Sequence, residues 1–167
     1  MYFLLGSSVF LMTMHAAIVV AIGVRVVMTP NQIKLVQVTF AQVVPIAATI
    51  ADLFYGRLFE IAPHLRPVFP ENRSEQKEQL MAVLATAVAG LDHLDTLVPT
   101  VSALGRRHVG YGLKAQHYVL VGSALLWTLE KALGEAFTSE VKDAWASAYI
   151  LLWTTMTDAA NEMRMAA

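Results

Sequence analysis

The sequence predicts an all-α domain, and three observations carry that reading. From Pro30 onward the apolar residues recur at steps of three and four, the spacing of one buried helix face. No stretch alternates apolar and polar residues as a half-buried strand does, and no segment repeats at a fixed period. Proline, serine, threonine and glycine sit at the ends of the periodic segments, where helices start and stop.

The first segment, "MYFLLGSSVFLMTMHAAIVVAIGV", contains no Asp, Glu, Lys or Arg, and the first charged residue is Arg25. Its length reaches the ~20 residues that cross a bilayer as a helix. It lacks the positive leading region of a secretory signal. Two readings stand side by side. Residues 1–27 form a hydrophobic helix that anchors the chain to a membrane through residues 3–24, with Arg25 and Lys34 holding the remainder on the cytoplasmic face of the inner membrane. Alternatively the domain begins at Met28, the upstream residues are an over-long start, and the protein is cytoplasmic.

At Met28 the text changes. Thr29 is placed to cap a helix, with Pro30 at its first position and Gln32 three residues after the cap. Ile33, Val36, Phe40 and Val43 share one face of it. Pro45 marks the next start, and "IAATIADLFYGRLFEI" puts Ile50, Phe54 and Leu58 on one side before Pro63. A proline-punctuated loop follows, "APHLRPVFPENRS", carrying Phe69. Ser74 opens a helix with Glu75 in its first turn, and Gln76, Leu80, Val83, Ala87 and Leu91 fall on one face. Pro99 suggests the start of a further helix, with Leu97 just ahead of it. Val101, Leu104 and His108 share a face there, and Gly110 and Gly112 end it. "AQHYVLVGSALLWTLEKAL" stops at Gly134, and a last helix opens at Thr138 or Ser139.

Composition narrows the function. Hydrophobic residues make up 56% of the 167 and charged residues 15%, enough for one well-cored domain, residues 28–167. A net charge of −1 gives no electrostatic footprint for nucleic acid. The chain has no cysteine, which excludes disulfides, thiolate metal sites and cysteine nucleophiles. It also lacks a phosphate-cradling glycine loop, an HExxH pair and a G-x-S-x-G turn. Of the five histidines only His108 lies in line with a bulky apolar stripe. For an arbitrary histidine the ordinary reading is a core or surface side chain bonded to a carbonyl. One imidazole does not hold zinc, which needs three or four ligands. It does suffice for haem, whose porphyrin supplies four nitrogens and leaves one axial position to the protein. Spacing alone leaves both readings open.

The residues around His108 carry a resemblance. "LGRRHVGYGLKAQHYVLVG" resembles the end of the F helix and the start of the G helix in bacterial globins. "LFYGRLF" resembles their B helix, "AWASAY" their H helix and "RPVFP" their corner phenylalanine. From Thr29 to Met163 the chain is most similar to the single-domain haemoglobins and the globin half of flavohaemoglobins. The resemblance implies a globin fold, helices A, B, C, E, F, G and H around a haem pocket, preceded by the hydrophobic N-terminal helix.

It also implies roles. His108 matches the proximal ligand to haem iron, and Phe69 the phenylalanine that packs on the porphyrin. Tyr55 matches the distal B-helix tyrosine, Gln76 the distal glutamine, with Gln79 a rival, and Leu80 the leucine over the iron. Tyr118 matches the G-helix tyrosine beside the proximal histidine, and Leu104 lines the pocket one turn before His108. One departure shows: the H-helix glutamate that completes a proximal network in flavohaemoglobins falls here on Ala159 or Ala160, with Glu162 beyond it. The function implied is reversible oxygen binding, with nitric oxide and carbon monoxide as further gaseous ligands. A nitric oxide dioxygenase served by a separate electron donor is the alternative, and a gas sensor or membrane-bound signalling module the third.

Overall fold

A computed structural model describes residues 27–69, 74–109 and 115–166. The hydrophobic N-terminal segment and the glycines Gly110 and Gly112 lie outside the described residues. Within them the chain forms six α-helices and no strand: α1 (Pro30–Val43), α2 (Ala47–Ile61), α3 (Ser74–Gly90), α4 (Leu94–Val109), α5 (Ala115–Leu133) and α6 (Ser139–Ala166). Short 3-10 turns join some of them, at Val44–Ile46, Pro63–Val68 and Gly134–Ala136.

The start of α1 is built as its text suggests. Gln32 donates its backbone N–H to Thr29 Oγ1 at 3.2 Å, and Thr29 returns its own N–H to Gln32 Oε1 at 2.9 Å. Both groups would otherwise be orphan donors of the first turn. Thr29→Ala should therefore lower stability by about 1 kcal/mol, read as a lower urea midpoint with an unchanged slope. Val36, Phe40 and Val43 are buried as their spacing predicts. The apolar face of α1 packs on α6, where Trp145 Nε1–H donates to Thr39 Oγ1 at 2.9 Å. The same Thr39 hydroxyl donates to the Leu35 carbonyl at 2.7 Å, so a buried hydroxyl and a buried indole are satisfied together.

Pro45 does not open an α-helix directly. It sits in the 3-10 turn, and α2 begins at Ala47, with Ile50, Phe54 and Leu58 buried. The start expected at Pro99 is a larger correction. α4 begins at Leu94, and Leu97, expected ahead of the helix, is inside it and 4% exposed. The His93 carbonyl accepts the N–H groups of Thr96 and Leu97, which closes the first turn. Pro99 is the sixth residue of α4, inside the helix, where it has no N–H to give the carbonyl of exposed Asp95 four residues back. α5 does stop where glycine permits: Gly134 has φ +55, the left-handed conformation in which side chains are disfavoured. Thr138 caps α6, its Oγ1 accepting the Val141 N–H at 3.3 Å.

The helices cross as two principal pairs, α2 on α5 and α4 on α6, with α1 against α6 and α3 laid over α2. α4 and α6 come close together at Gly105. A Cβ there would run into the Met156 carbonyl oxygen and lie 2.6 Å from its Cα. Both are backbone atoms, so relief requires a helix to move. Gly105→Ala should cost about 1–3 kcal/mol and lower the thermal midpoint by several degrees. The contact fixes the depth of the last turn of α4, the turn that carries His108.

Candidate functional site

A cavity of about 430 Å³ lies among α2, α3, α4, α5 and α6. Such a volume suits a small-molecule or cofactor ligand, and its wall is mostly apolar. All five residues of the α3 face read from spacing, Gln76, Leu80, Val83, Ala87 and Leu91, line it. Leu104 and His108 of α4 and Tyr118 of α5 form another part of the wall, and Tyr55 and Phe69 a third. Every residue singled out in the sequence as a pocket residue is thus on one cavity.

His108 is half-buried, and its Nδ1 stands 2.8 Å from the Leu104 carbonyl oxygen, one helical turn back. A carbonyl only accepts, so Nδ1 carries the proton and Nε2 the lone pair. A hydrogen bond of this kind fixes the ring's orientation, as it does for an imidazole that serves as a metal ligand. Among the described residues no group of three or more His, Asp or Glu is placed to hold a metal ion by itself.

The opposite wall is aromatic and polar. The Tyr55 ring packs edge-on against Phe54 at 5.1 Å and Phe69 at 5.7 Å, and stacks on Phe59 at 6.0 Å. Its hydroxyl donates to the Gln76 backbone carbonyl over a long 3.4 Å. Gln76 Oε1 is buried with no hydrogen-bond partner. A buried amide oxygen left unmatched costs free energy unless the cavity's ligand supplies a partner or the amide turns its nitrogen inward. Gln79 also reaches the cavity, but it is exposed and donates to Glu75 Oε1 at 3.2 Å, along the outer face of α3. The two glutamines are therefore not equivalent, and Gln76 is the inward one.

Sequence reasoning missed three aromatic residues of α6, Trp145, Tyr149 and Trp153, which all line the cavity. Their spacing of four was the available signal. Trp153 stacks on Tyr118 at 15° and 6.1 Å, and its Nε1–H is buried without an acceptor. The Tyr149 hydroxyl donates to the Tyr118 carbonyl, tying α6 to α5. Ala159 and Ala160 are buried and Glu162 is exposed, so no carboxylate reaches this side from those positions. Arg107 and His117 also line the cavity and were not read as site residues.

Burial raises the Tyr149 phenol far above the ordinary 10.0, with Tyr118 adding to the rise. Burial also raises Tyr118, partly opposed by Arg164. Below pH 10 both phenols stay protonated whether the chain is folded or not. Above it the unfolded chain loses protons that the folded chain keeps, so stability should fall with pH. The slope is about 1.4 kcal/mol per pH unit for each fully shifted tyrosine. Tyr149→Phe should flatten that alkaline slope in urea titrations taken between neutral and strongly basic pH.

An all-helical scaffold around an apolar cavity, with the oriented imidazole of His108 on its wall and a phenol and an amide on another, suits a cofactor held through one histidine. The comparisons with known proteins agree. The globin family model matches residues 52–156. The flavohemoprotein of Bordetella parapertussis is 38% identical over 99 residues, covering 58% of this chain and 25% of that protein. That of Bacillus subtilis is 35% identical over 104 residues, 60% of this chain and 26% of that protein. A Xylella fastidiosa flavohemoprotein is 30% identical over 133 residues, 78% and 33% respectively. The chain thus spans a quarter to a third of these relatives. A bacterial globin structure from Campylobacter jejuni superposes with a TM-score of 0.69 over 82% of this chain and 99% of that one, at 24% identity, a likeness of fold.

The chain belongs to the globin family. Membership implies haem, and the residues fit it: an apolar slot, one nitrogen donor with its tautomer set by Leu104, and polar groups at Gln76 and Tyr55 on another wall.

Proposed function

We propose that the chain is a haem globin that reversibly binds dioxygen, and nitric oxide with it, as a carrier, store or scavenger. The observation that carries this is His108, oriented through Nδ1 on a cavity that also holds Tyr55 and Gln76. Haem, when bound, would be held by a single histidine nitrogen and would supply an iron able to bind a diatomic gas. His108 offers Nε2 as that nitrogen. Tyr55 and Gln76 are the donors available to a dioxygen molecule, whose partial negative charge a hydroxyl and an amide N–H stabilise. The Tyr55 hydroxyl is held to the Gln76 carbonyl by a bond 3.4 Å long, which is a weak one. The apolar wall keeps water from competing for either donor.

A nitric oxide dioxygenase served by a separate reductase is the second reading, favoured by the likeness to flavohemoproteins. The buried alanines Ala159 and Ala160 argue against it, because those positions bring no carboxylate to the proximal imidazole. The test is an absorption spectrum of the purified chain, as isolated, after dithionite and after carbon monoxide. A Soret band that shifts at each step supports a gas-accessible haem, and a folded chain with no such band after added haemin overturns it. Repeated consumption of nitric oxide with a reductase supplied would move the dioxygenase to the front.

A further inference from the structure

We propose that the outer face of α1, with the corner where it turns into α2, rests on a lipid bilayer, so that α1 lies along the membrane surface. This goes beyond the haem reading and does not depend on it. Arg25 and Lys34 are the only Asp, Glu, Lys or Arg residues before Asp52, so the first 51 residues carry two positive side chains and no acid. The positions of α1 turned from the core, Asn31, Lys34, Val38 and Ala41, follow at steps of three and four and are all exposed. The stripe continues to Val27 before the helix and to Pro45 after it. Val27 is 81% exposed, Val38 50%, Val44 49% and Ile46 44%. By length and composition Pro30–Ile61 is apolar enough to cross a membrane. Phe40, Ile50, Phe54 and Leu58 nevertheless belong to the core cluster, so this segment is part of the fold and carries an apolar surplus on its outside.

Placement and charge decide the occupant. Residues 1–24 hold no Asp, Glu, Lys or Arg and reach the ~20 residues that span a bilayer as a helix. A chain that leaves the bilayer near Arg25 starts α1 at the headgroups. Standing upright, α1 would bring only Val27 to the lipid and lift Val44 and Ile46 away by about 21 Å, the rise of its 14 residues. Lying flat, it sets apolar side chains at both of its ends against the acyl boundary, as interfacial helices do. Lys34 on the same stripe lays its stem along the apolar surface and turns its ammonium to anionic headgroups. No carboxylate on the stripe opposes it, and Asp52 is paired with Lys77 of α3. A second copy of the chain fits less well. A stable protein interface takes about 20–30 residues a side, and this face offers four large apolar ones, Val27, Val38, Val44 and Ile46.

The chain has no cysteine, so one introduced by substitution reports a single position. Val38→Cys, Ile46→Cys and, on α4, Thr100→Cys are each labelled with a fluorophore that brightens in apolar surroundings. All three positions are exposed, so the label leaves the core as it is. The full-length variants are then incorporated into vesicles of phosphatidylcholine and phosphatidylglycerol, with ordinary or brominated acyl chains. Labels at positions 38 and 46 should be bright in ordinary lipid and lose most of their emission in brominated lipid, while the label at position 100 stays dim in both. Adding Val44→Asp to the Ile46→Cys chain should abolish the quenching at position 46 with helical content unchanged, because a charge is costly to hold against acyl chains. Labels at 38 and 46 as dim as that at 100 would overturn the proposal, since the face would then meet water. Labels that are bright but indifferent to bromine would overturn it as well, because protein, whether a second copy or residues 1–26, would then cover the face.

Discussion

His108→Ala will leave a folded chain that no longer holds haem stably. The residue is half-buried at the end of α4, and its removal takes nothing from the cluster of buried residues, so the loss is one of ligation rather than of fold. Apolar contact with the slot remains, but the axial bond is gone and with it the feature that selects iron porphyrin over any flat apolar molecule. Haem content, measured as the ratio of Soret to protein absorbance, should fall to a small fraction of wild type, with helical content unchanged. Added imidazole should restore much of the spectrum to His108→Gly by entering the space the ring vacated. Normal haem content in the alanine variant would remove His108 from the axial role. It would point to His117, the other imidazole on the wall.

Tyr55→Phe should release dioxygen faster, by about 10- to 100-fold, the range expected when a hydrogen bond to a charged acceptor is lost. The substitution is clean because the ring keeps its contacts with Phe54, Phe59 and Phe69, and only the hydroxyl goes. Its bond to the Gln76 carbonyl is long, so the fold loses little. Stopped-flow measurement of dissociation decides the matter: an unchanged rate takes Tyr55 out of the distal wall and leaves Gln76 as the sole donor there. A rise in both dissociation and haem loss would mean instead that the hydroxyl supports the pocket's shape.

Much of this pocket was legible before any coordinates. The α3 face from Gln76 to Leu91 follows from helical spacing, which alone decides which side chains of one helix share a wall. The capping box at Thr29 is legible for the same reason, since its partners are three residues apart. What stayed hidden depends on crossings between helices. Trp153 is only an apolar residue of α6 until α5 brings Tyr118 against it. His117 and His64 are distant in sequence and meet only because α5 begins beside the 3-10 turn after α2. Pro99 misled for a different reason: this helix carries its proline inside rather than at its first position, and only the His93 carbonyl shows where the first turn began. The nonequivalence of Gln76 and Gln79 is likewise a matter of rotation about α3, too fine for spacing to resolve.

The α3 helix has one more property. Of its seventeen residues only Ala87 and Val88 are fully buried, both toward its far end, while the rest of its inner face looks onto the cavity. This helix meets α1, α2 and α4, but much of its inner face fronts the cavity, so what enters the slot would become a further packing partner. The prosthetic group then serves as masonry as well as chemistry: α3 is a wall with the floor poured after it. Filling and emptying the slot would be felt along the inner face of α3, from Gln76 to Ala87.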